Sequence, residues 1–319
     1  MSAPPLPSRP LGSSGVHVTE LSFGGAVLGN MYTEISEDQA AAAVEAAWDG
    51  GIRTFDTAPH YGLGLSERRI GAALARYPRD EYVISTKIGR LLEPTSEPYG
   101  TDDEGFAVPA AARRVRDYSA GGVRHSIEDS LTRLGTDRID IALIHDPDDY
   151  GEQAFGEAYP ALEDLRAQGM VGAIGAGMNQ AGMLTRFVTD TDVDVVLVAG
   201  RYTLLDRSAG RELLPAAQQR GVSVLCGGVF NSGLLAAPDA SATYDYHAAP
   251  AALISLAREL QSACAGYGVP LRAAAARFPA RHPAVASVLI GARSAAEITD
   301  AITLRGTEIP AALWQELDA

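Results

Sequence analysis

Strand-like and helix-like segments alternate along almost the whole of this 319-residue chain. Each β-rich run with few charges is followed by a polar loop and then by a stretch whose apolar residues are three and four positions apart. Glycines end several of these stretches, at Gly135, Gly169 and Gly221, because a residue without Cβ adopts left-handed backbone at little cost. The predicted strands are 20–25, 54–57, 82–87, 139–145, 173–177, 195–198, 223–225 and 287–290.

Eight such units predict an α/β protein in which a parallel sheet closes into a (β/α)8 TIM barrel, with residues 1–319 forming one domain. A capping box at 36–39 begins the first helix, and turn residues at 11–16 predict a short β-hairpin before the barrel. The alternative is an open doubly wound sheet. That fold would need a glycine fingerprint after its first strand, which 23–29 does not match.

Composition excludes several classes of protein. The net charge of -14 and pI near 4.8 argue against a nucleic-acid partner, because phosphate backbones require clustered Lys and Arg. The two cysteines, Cys226 and Cys264, have no metal-ligand spacing, so we expect neither a metal site nor disulfides. We see no leader and no apolar run long enough to span a membrane, and we expect a cytoplasmic protein.

Two connections are longer than a plain barrel requires, at 90–120 and 231–250. Both follow the carboxyl ends of predicted strands, where barrel enzymes build their active sites. We therefore expect substrate lids or walls, with surface decoration as the alternative.

Four polar residues are predicted to meet at the same barrel mouth: Asp56, Tyr61, Lys87 and His145. A buried lysine needs a compensating carboxylate, which Asp56 supplies on the neighbouring strand. The resulting cation would lower the pKa of the Tyr61 phenol from about 10 and suit it to general acid–base work. His145 would orient the reacting oxygen.

Two alternatives stay open. The Asp56–Lys87 pair could merely close the barrel beside a structural His145, or His145 could bind a metal together with Asp146 and Asp148. The metal site is disfavoured because no further histidine ends a strand.

These residues resemble the aldo-keto reductase family, through 51–62, 64–67, Lys87 in its strand, 130–135 and the strand ending at His145. The resemblance implies a catalytic tetrad of the four residues above and a nicotinamide cofactor lying across the barrel mouth. Segments 145–148, 199–206 and 230–233 are similar to the branch of sugar 1-dehydrogenases that act on L-fucose, L-galactose, D-arabinose or D-threo-aldoses, and to some pyridoxal 4-dehydrogenases.

The resemblance also implies the cofactor contacts. Met178, Ala199 and Gly227 depart from the commoner family pattern, so Asn179 would hold the carboxamide and Phe230 would pack on the ring in place of an aromatic at 227. The implied cofactor-binding residues are Gly25, Ala26, Asn179, Phe230, Ser232, Gly233, Gly291, Arg293, Glu297 and Asp300.

Glu297 and Arg293 bear on the choice of cofactor. A carboxylate near the ribose repels a 2'-phosphate and accepts hydrogen bonds from a 2'-hydroxyl, which favours NAD, whereas Arg293 is compatible with NADP. Glu297 has the alternative role of an exposed acid in the first turn of a helix. We expect NAD, with NADP as the alternative.

The predicted activity is NAD(P)-dependent oxidation of the C1 hydroxyl of a free aldose to a lactone. Alternatives are a pyridoxal 4-dehydrogenase, a general aldehyde or ketone reductase and, from another class, a regulatory barrel resembling potassium-channel β-subunits. No hydrophobic or charged segment indicates a docking surface, which argues against the regulatory barrel. The sequence does not determine the oligomeric state. The polar insert 93–103, with Asp146 and Asp148 at the mouth, suits a polyhydroxylated ligand by supplying acceptors for its hydroxyl groups, and it is equally compatible with solvated loop residues.

Overall fold

The computed structural model describes residues 3–95, 100–239, 241–245 and 247–318. In chain order its strands are β1 (Ser8–Pro10), β2 (His17–Thr19), β3 (Leu21–Gly24), β4 (Thr54–Asp56), β5 (Val83–Ile88), β6 (Arg90–Pro94), β7 (Ala112–Arg116), β8 (Ile139–His145), β9 (Val171–Met178), β10 (Val195–Ala199), β11 (Ser223–Gly227), β12 (Thr243–Tyr244), β13 (His247–Ala248) and β14 (Val285–Gly291).

Helices alternate with these strands. They are α1 (Glu37–Asp49), α2 (Leu65–Leu74), α3 (Ala120–Leu134), α4 (Gly151–Gln153), α5 (Tyr159–Ala167), α6 (Ala181–Asp190), α7 (Leu213–Arg220), α8 (Ala251–Gly266), α9 (Leu271–Arg277), α10 (Ala295–Arg305) and α11 (Ala311–Asp318). Short 3-10 segments include Gly25–Gly29, and a π-helical turn, Ala154–Ala158, joins α4 to α5. None of the helices described is long and apolar enough to cross a membrane.

Within the described residues, eight parallel strands close into a barrel in the order β3, β4, β5, β8, β9, β10, β11, β14 and back to β3. The predicted (β/α)8 TIM barrel is therefore confirmed. Its register aligns Asp56 of β4 with Ser85 of β5 and Lys87 of β5 with Leu143 of β8. Because the strands are parallel, their carboxyl ends reach the same mouth.

The predicted N-terminal hairpin is also present, as the antiparallel pair β1 and β2. Leu11 in its turn and Val18 in β2 are fully buried and pack with Ile141, Leu143 and other barrel-lining residues. This hairpin therefore contributes to the packing of the barrel interior, and the polar mouth lies at the carboxyl ends of the strands.

The helix ends agree with the sequence signals. The Ser36 hydroxyl accepts from the Gln39 backbone N–H at 3.1 Å while the Gln39 side chain accepts from the Ser36 N–H at 3.0 Å, so α1 begins with a complete capping box. Gly135 and Gly221 end α3 and α7 in left-handed backbone conformation.

The first predicted strand extends one residue too far. Gly25 begins a 3-10 segment instead, and a Cβ on it would lie 2.6 Å from the Asp56 carbonyl oxygen and 2.8 Å from the Ser66 hydroxyl. The chain turns here close against β4 and α2, which only a glycine permits.

Both long connections contain antiparallel hairpins, β6 with β7 and β12 with β13. Residues from each line the cavity at the barrel mouth, including Arg90, Phe106 and His247. The wall interpretation thus agrees with the structure over the described part of these loops. Positions 96–99, 240 and 246, which belong to the predicted inserts, lie outside the described residues.

Candidate active site

A buried ion pair joins the ends of β4 and β5. The Lys87 ammonium lies 2.7 and 3.0 Å from the two carboxylate oxygens of Asp56 and donates to the Thr57 carbonyl at 2.9 Å. The Ser85 hydroxyl donates to Asp56 at 2.9 Å. Burial alone would lower the pKa of Lys87, but Asp56 and then Tyr61 outweigh it and raise the pKa above its ordinary value. Lys87 is therefore held in its charged form near neutral pH.

Tyr61 lies on the turn that follows β4, and its ring centre is 4.8 Å from the Lys87 ammonium. Gly62 shapes this turn: its φ is +62°, and a Cβ there would lie 2.3 Å from the Gly29 carbonyl oxygen. A cation this close to a phenol stabilises the phenolate, and a hydrogen bond between Tyr61 and Lys87 adds to that coupling.

His145, the last residue of β8, completes the group. Its ring is perpendicular to that of Tyr61, with centroids 5.9 Å apart. Burial first, and then the positive charges of Arg90 and Lys87, lower the pKa of His145 well below its ordinary value. The imidazole is therefore neutral at working pH, and its buried Nδ1 has no partner among the described residues. The structure thus brings all four predicted catalytic residues together.

Three of these side chains, those of Tyr61, Lys87 and His145, line a cavity of about 560 Å³ at the barrel mouth. The apolar residues of its lining include Ala26, Met178, Leu197 and Ala199, and Asn179 is among the polar ones. The size and the mixed lining suit a small organic substrate held beside a larger planar group.

Sequence reasoning did not predict His60 and Phe106. His60 precedes Tyr61, and its ring packs edge-on against Phe106 with centroids 5.1 Å apart. Burial first, and then Arg90 and Arg114, lower the pKa of His60 to about 2. Phe106 comes from the connection between β6 and β7, so no local pattern places it at the site. The position of His60 next to the tyrosine was the available signal.

A second ion pair, Arg90 with Asp146, lies on the cavity wall with Nη2 and Oδ2 2.5 Å apart. Arg90 begins β6 two residues after the end of β5, and that position near the mouth was the sequence signal for it. Asp148 was predicted to lie at the mouth, but it does not line the cavity. It is exposed and lies by α4, because the chain turns away from the mouth in a left-handed residue at Asp146.

Residues 64–67, at the start of α2, make buried hydrogen bonds that position the elements around the site. Glu67 of α2 is fully buried and accepts hydrogen bonds from Thr86 at 2.7 Å and Arg133 at 2.5 Å. Ser66 donates to the Gly25 carbonyl at 2.7 Å. These bonds hold α2 to β5, which carries Lys87, to helix α3 and to the turn after β3. Gly25 lies in this buried packing and does not line the cavity, whereas its neighbour Ala26 does.

The predicted cofactor residues after β9 and β11 occupy two loops at the mouth. Asn179 lines the cavity, and its amide makes no hydrogen bond to another described residue. Asn231, Ser232 and Gly233 form a run of left-handed residues, and the Thr243 hydroxyl donates to the Ser232 carbonyl at 2.8 Å. Phe230 is half-buried against the core rather than lining the cavity, so its contact with a nicotinamide ring stays a prediction.

The remaining predicted cofactor residues cluster at the start of α10. Gly291 ends β14, and Ser294 caps the helix by accepting from the Glu297 N–H at 3.3 Å. Glu297 accepts from the Arg293 N–H at 2.8 Å, and Asp300 pairs with Arg272 of α9 at 2.6 Å. Both acids therefore have structural partners in this chain.

These features fit an extended nicotinamide dinucleotide. The Asn179 amide offers a donor and an acceptor for a carboxamide. The buried Nε of Arg293 has no partner among the described residues, and it lies beside a helix N-terminus, which favours anions. In contrast, the described residues contain no group of three or more His, Cys, Asp or Glu arranged to hold a metal ion.

The comparisons with known proteins agree with this site. The sequence model of the Aldo/keto reductase family matches residues 20–319. A D-threo-aldose 1-dehydrogenase from a Pseudomonas species is 46% identical over 96% of this chain and 94% of its own, and a pyridoxal 4-dehydrogenase from Microbacterium luteolum is 40% identical over 97% and 96%. An L-galactose dehydrogenase from Arabidopsis thaliana is 31% identical over 92% and 86%.

A solved structure shows the same architecture. The holo form of an aldo-keto reductase from Bacillus halodurans superposes with a TM-score of 0.77 and 26% identity, covering 98% of this chain and 95% of its own. Fold, site and family match lead to one conclusion. The chain belongs to the aldo-keto reductase family and is an oxidoreductase that works with a nicotinamide cofactor.

Proposed function

We propose that this enzyme oxidises the C1 hydroxyl of a free aldose to the corresponding lactone. The observation that carries the proposal is the buried Asp56–Lys87 pair beside Tyr61, in the same cavity as a neutral His145. The choice of a sugar is supported by the 46% identity to a D-threo-aldose 1-dehydrogenase over almost the full length of both chains.

The proton has a defined route. Tyr61, held as phenolate by the Lys87 cation, takes the proton of the C1 hydroxyl, and Asp56 keeps Lys87 charged and in place. Asn179 and the loops after β9 and β11 would hold the nicotinamide ring, and the bound cofactor would accept the hydride from C1. Loss of one proton and one hydride converts the C1–OH to the lactone carbonyl.

His145 acts without changing its charge. A neutral imidazole donates one N–H to the reacting oxygen and so fixes its position between Tyr61 and the hydride acceptor. The lowered pKa keeps the ring neutral, which avoids a competing acid next to Tyr61. In the reductive direction, as in the reduction of an aldehyde, Tyr61 gives the proton as an acid while the carbonyl carbon accepts the hydride.

We further propose NAD as the preferred cofactor. Glu297 is exposed in the first turn of α10, next to Arg293 and the end of β14. Its charge disfavours a 2'-phosphate there and suits a 2'-hydroxyl. Arg293 is free to pair with the diphosphate or to lie over the adenine.

The test is a screen at 340 nm of NAD and NADP against L-fucose, L-galactose, D-arabinose and pyridoxal. We expect NADH formation with at least one aldose and a lower kcat/KM with NADP. Turnover of pyridoxal without any aldose would replace the proposal by its second candidate, which the 40% identity to a pyridoxal 4-dehydrogenase supports.

We also propose a reducing compartment, such as the cytoplasm, for this enzyme. Cys226 and Cys264 are both buried as free thiols, and burial raises the pKa of each, so neither is a reactive thiolate.

A further inference from the structure

We propose that Arg90 and Asp146 form the subsite that binds the C2 hydroxyl of the aldose. This inference rests on the proposed function and deepens it, because it makes the 2-hydroxyl a requirement of the substrate. It also separates aldoses from pyridoxal, whose carbon next to the aldehyde carries no hydroxyl.

The position of the pair relative to His145 carries the argument. Arg90 Nη2 lies 2.5 Å from Asp146 Oδ2, and the same carboxylate oxygen is 3.5 Å from His145 Nε2. All three side chains line the cavity. A substrate oxygen held by His145 therefore has the pair beside it, at the distance of a hydroxyl on the adjacent carbon. In an aldose oxidised at C1, that hydroxyl is the one on C2.

The backbone at Asp146 is held in an unusual conformation that aims its carboxylate at the cavity. Its φ is +41°, which is costly for a residue with a side chain. The Tyr118 hydroxyl donates to the carbonyl oxygens of His145 and Asp146 at 2.6 and 3.1 Å. Room for the Tyr118 ring comes from Gly89, where a Cβ would lie 2.1 Å from that ring. The surroundings thus enforce a strained residue at the site, which points to a role in binding.

The pair also keeps unused hydrogen-bonding capacity. Among the described residues, the Arg90 guanidinium donates only through Nη2, and the Asp146 carboxylate accepts only through Oδ2. The ion pair between Arg114 and Asp102 differs in two ways. Both carboxylate oxygens of Asp102 accept from Arg114, at 2.5 and 3.1 Å, and neither residue lines the cavity. The Arg114–Asp102 pair therefore holds the connection between β6 and β7 in place. The Arg90–Asp146 pair, in contrast, keeps donor and acceptor atoms that a ligand can use.

A neighbouring cation and anion match a hydroxyl well. The guanidinium donates to the hydroxyl oxygen, the carboxylate accepts the hydroxyl proton, and both bonds are charge-assisted. A substrate without that hydroxyl leaves the two desolvated groups without a partner, which is strongly unfavourable.

The experiment compares sugars that differ only at C2, L-galactose with 2-deoxy-L-galactose and D-arabinose with 2-deoxy-D-ribose. The measured quantity is the ratio of kcat/KM between the members of each pair. We expect a ratio of at least about 30 in the wild-type enzyme, since a site built for a hydroxyl rejects the analogue that lacks it. In Asp146→Asn the ratio should fall to about 3 or less, because the charged acceptor is gone.

Two further variants serve as a matched control and as a test of the second residue of the pair. Asp148→Asn makes the same change two residues away at an exposed position outside the cavity, and its ratio should equal the wild-type ratio. Arg90→Lys keeps the charge but loses the planar donor group, and its ratio should fall as well. Asparagine tolerates left-handed backbone, so Asp146→Asn retains the local fold, which circular dichroism verifies.

The outcomes separate the two proposals. A wild-type ratio near 1, or an unchanged ratio in Asp146→Asn, would overturn the C2 subsite while leaving aldose oxidation intact. A wild-type enzyme that turns over neither parent sugar would refute the proposed function, and the subsite with it.

Discussion

Tyr61 and Lys87 influence each other's ionisation, because the Lys87 ammonium lies 4.8 Å from the Tyr61 ring centre and Tyr61 adds to Asp56 in raising the pKa of Lys87. The change Tyr61→Phe removes the proton acceptor but preserves the ring that packs near Phe106. We expect kcat to fall by about 10²- to 10⁴-fold, as for loss of a general base. Cofactor affinity, measured by quenching of tryptophan fluorescence, should stay within a few-fold of wild type. Turnover within threefold of wild type would contradict the mechanism.

Asp56 is expected to matter for both stability and rate. The variant Asp56→Asn leaves a buried ammonium without its counterion, which costs about 3–5 kcal/mol of folding free energy when such a pair is broken. The pKa of Lys87 should fall, so activity at alkaline pH is lost earlier than in wild type. Urea unfolding and a pH–rate profile measure the two effects. Ser85→Ala, which removes a single hydrogen bond to Asp56, is the control and should cost only about 1 kcal/mol.

The tetrad residues were predictable because each lies at or just beyond the end of a strand, and strand ends of a parallel barrel meet at one mouth. His60 and Arg90 were not predicted, although they adjoin predicted residues. Their roles depend on what folds over them: Phe106 and Glu104 pack near His60, and Asp146 reaches Arg90 from another strand. Sequence proximity to Tyr61 or to β5 does not contain that information.

At the scale of elements, helix α10 carries the prediction on cofactor choice. Glu297→Gln removes the negative charge while its amide oxygen still accepts from the Arg293 N–H. We expect the preference for NAD over NADP, expressed as a ratio of kcat/KM, to fall by about 5-fold or more, since roughly 1 kcal/mol of repulsion is lost. Glu316→Gln on α11 makes the same charge change at another exposed helical site and should leave the ratio as in wild type. An unaltered ratio in Glu297→Gln would assign this carboxylate to capping alone.

Barrel strands and their flanking helices were predictable because periodicity and glycine stops are local signals. The hairpins β6–β7 and β12–β13 were predicted only as long loops. Their strands are short and lie outside the barrel, so their pairing depends on cross-strand contacts such as Arg113 with Glu93 and on the bidentate Arg201–Asp245 pair. Those contacts join residues from 20 to 44 positions apart in the chain.

For the whole molecule, the buried histidines predict a dependence of stability on pH. The pKa of His60 is lowered to about 2, so below the ordinary value near 6.5 the unfolded chain binds a proton that the folded chain does not. Stability is therefore complete above that value and decreases as pH falls. His60 alone accounts for about 2 kcal/mol of loss at pH 5, and His145 acts in the same direction.

Urea unfolding of the wild type and of His60→Gln between pH 7 and pH 5 measures this contribution. The variant should show a shallower decrease in the free energy of unfolding over that interval. His125→Gln, at an exposed position on α3, should keep the wild-type slope. Equal slopes in all three proteins would show that His60 is protonated in the folded state.

The left-handed backbone at Asp146 has a consequence for how this enzyme diversifies. Few residue types accept that conformation, and asparagine and glycine, both a single nucleotide change from aspartate, are the ones that do so at least cost. Mutation of this codon to asparagine or to glycine is therefore tolerated by the fold. Both changes remove the carboxylate and leave the conformation of the turn intact. A lineage released from selection for its present substrate would therefore broaden the range of substrates it accepts at this residue first, while the buried Asp56–Lys87 pair stays unchanged.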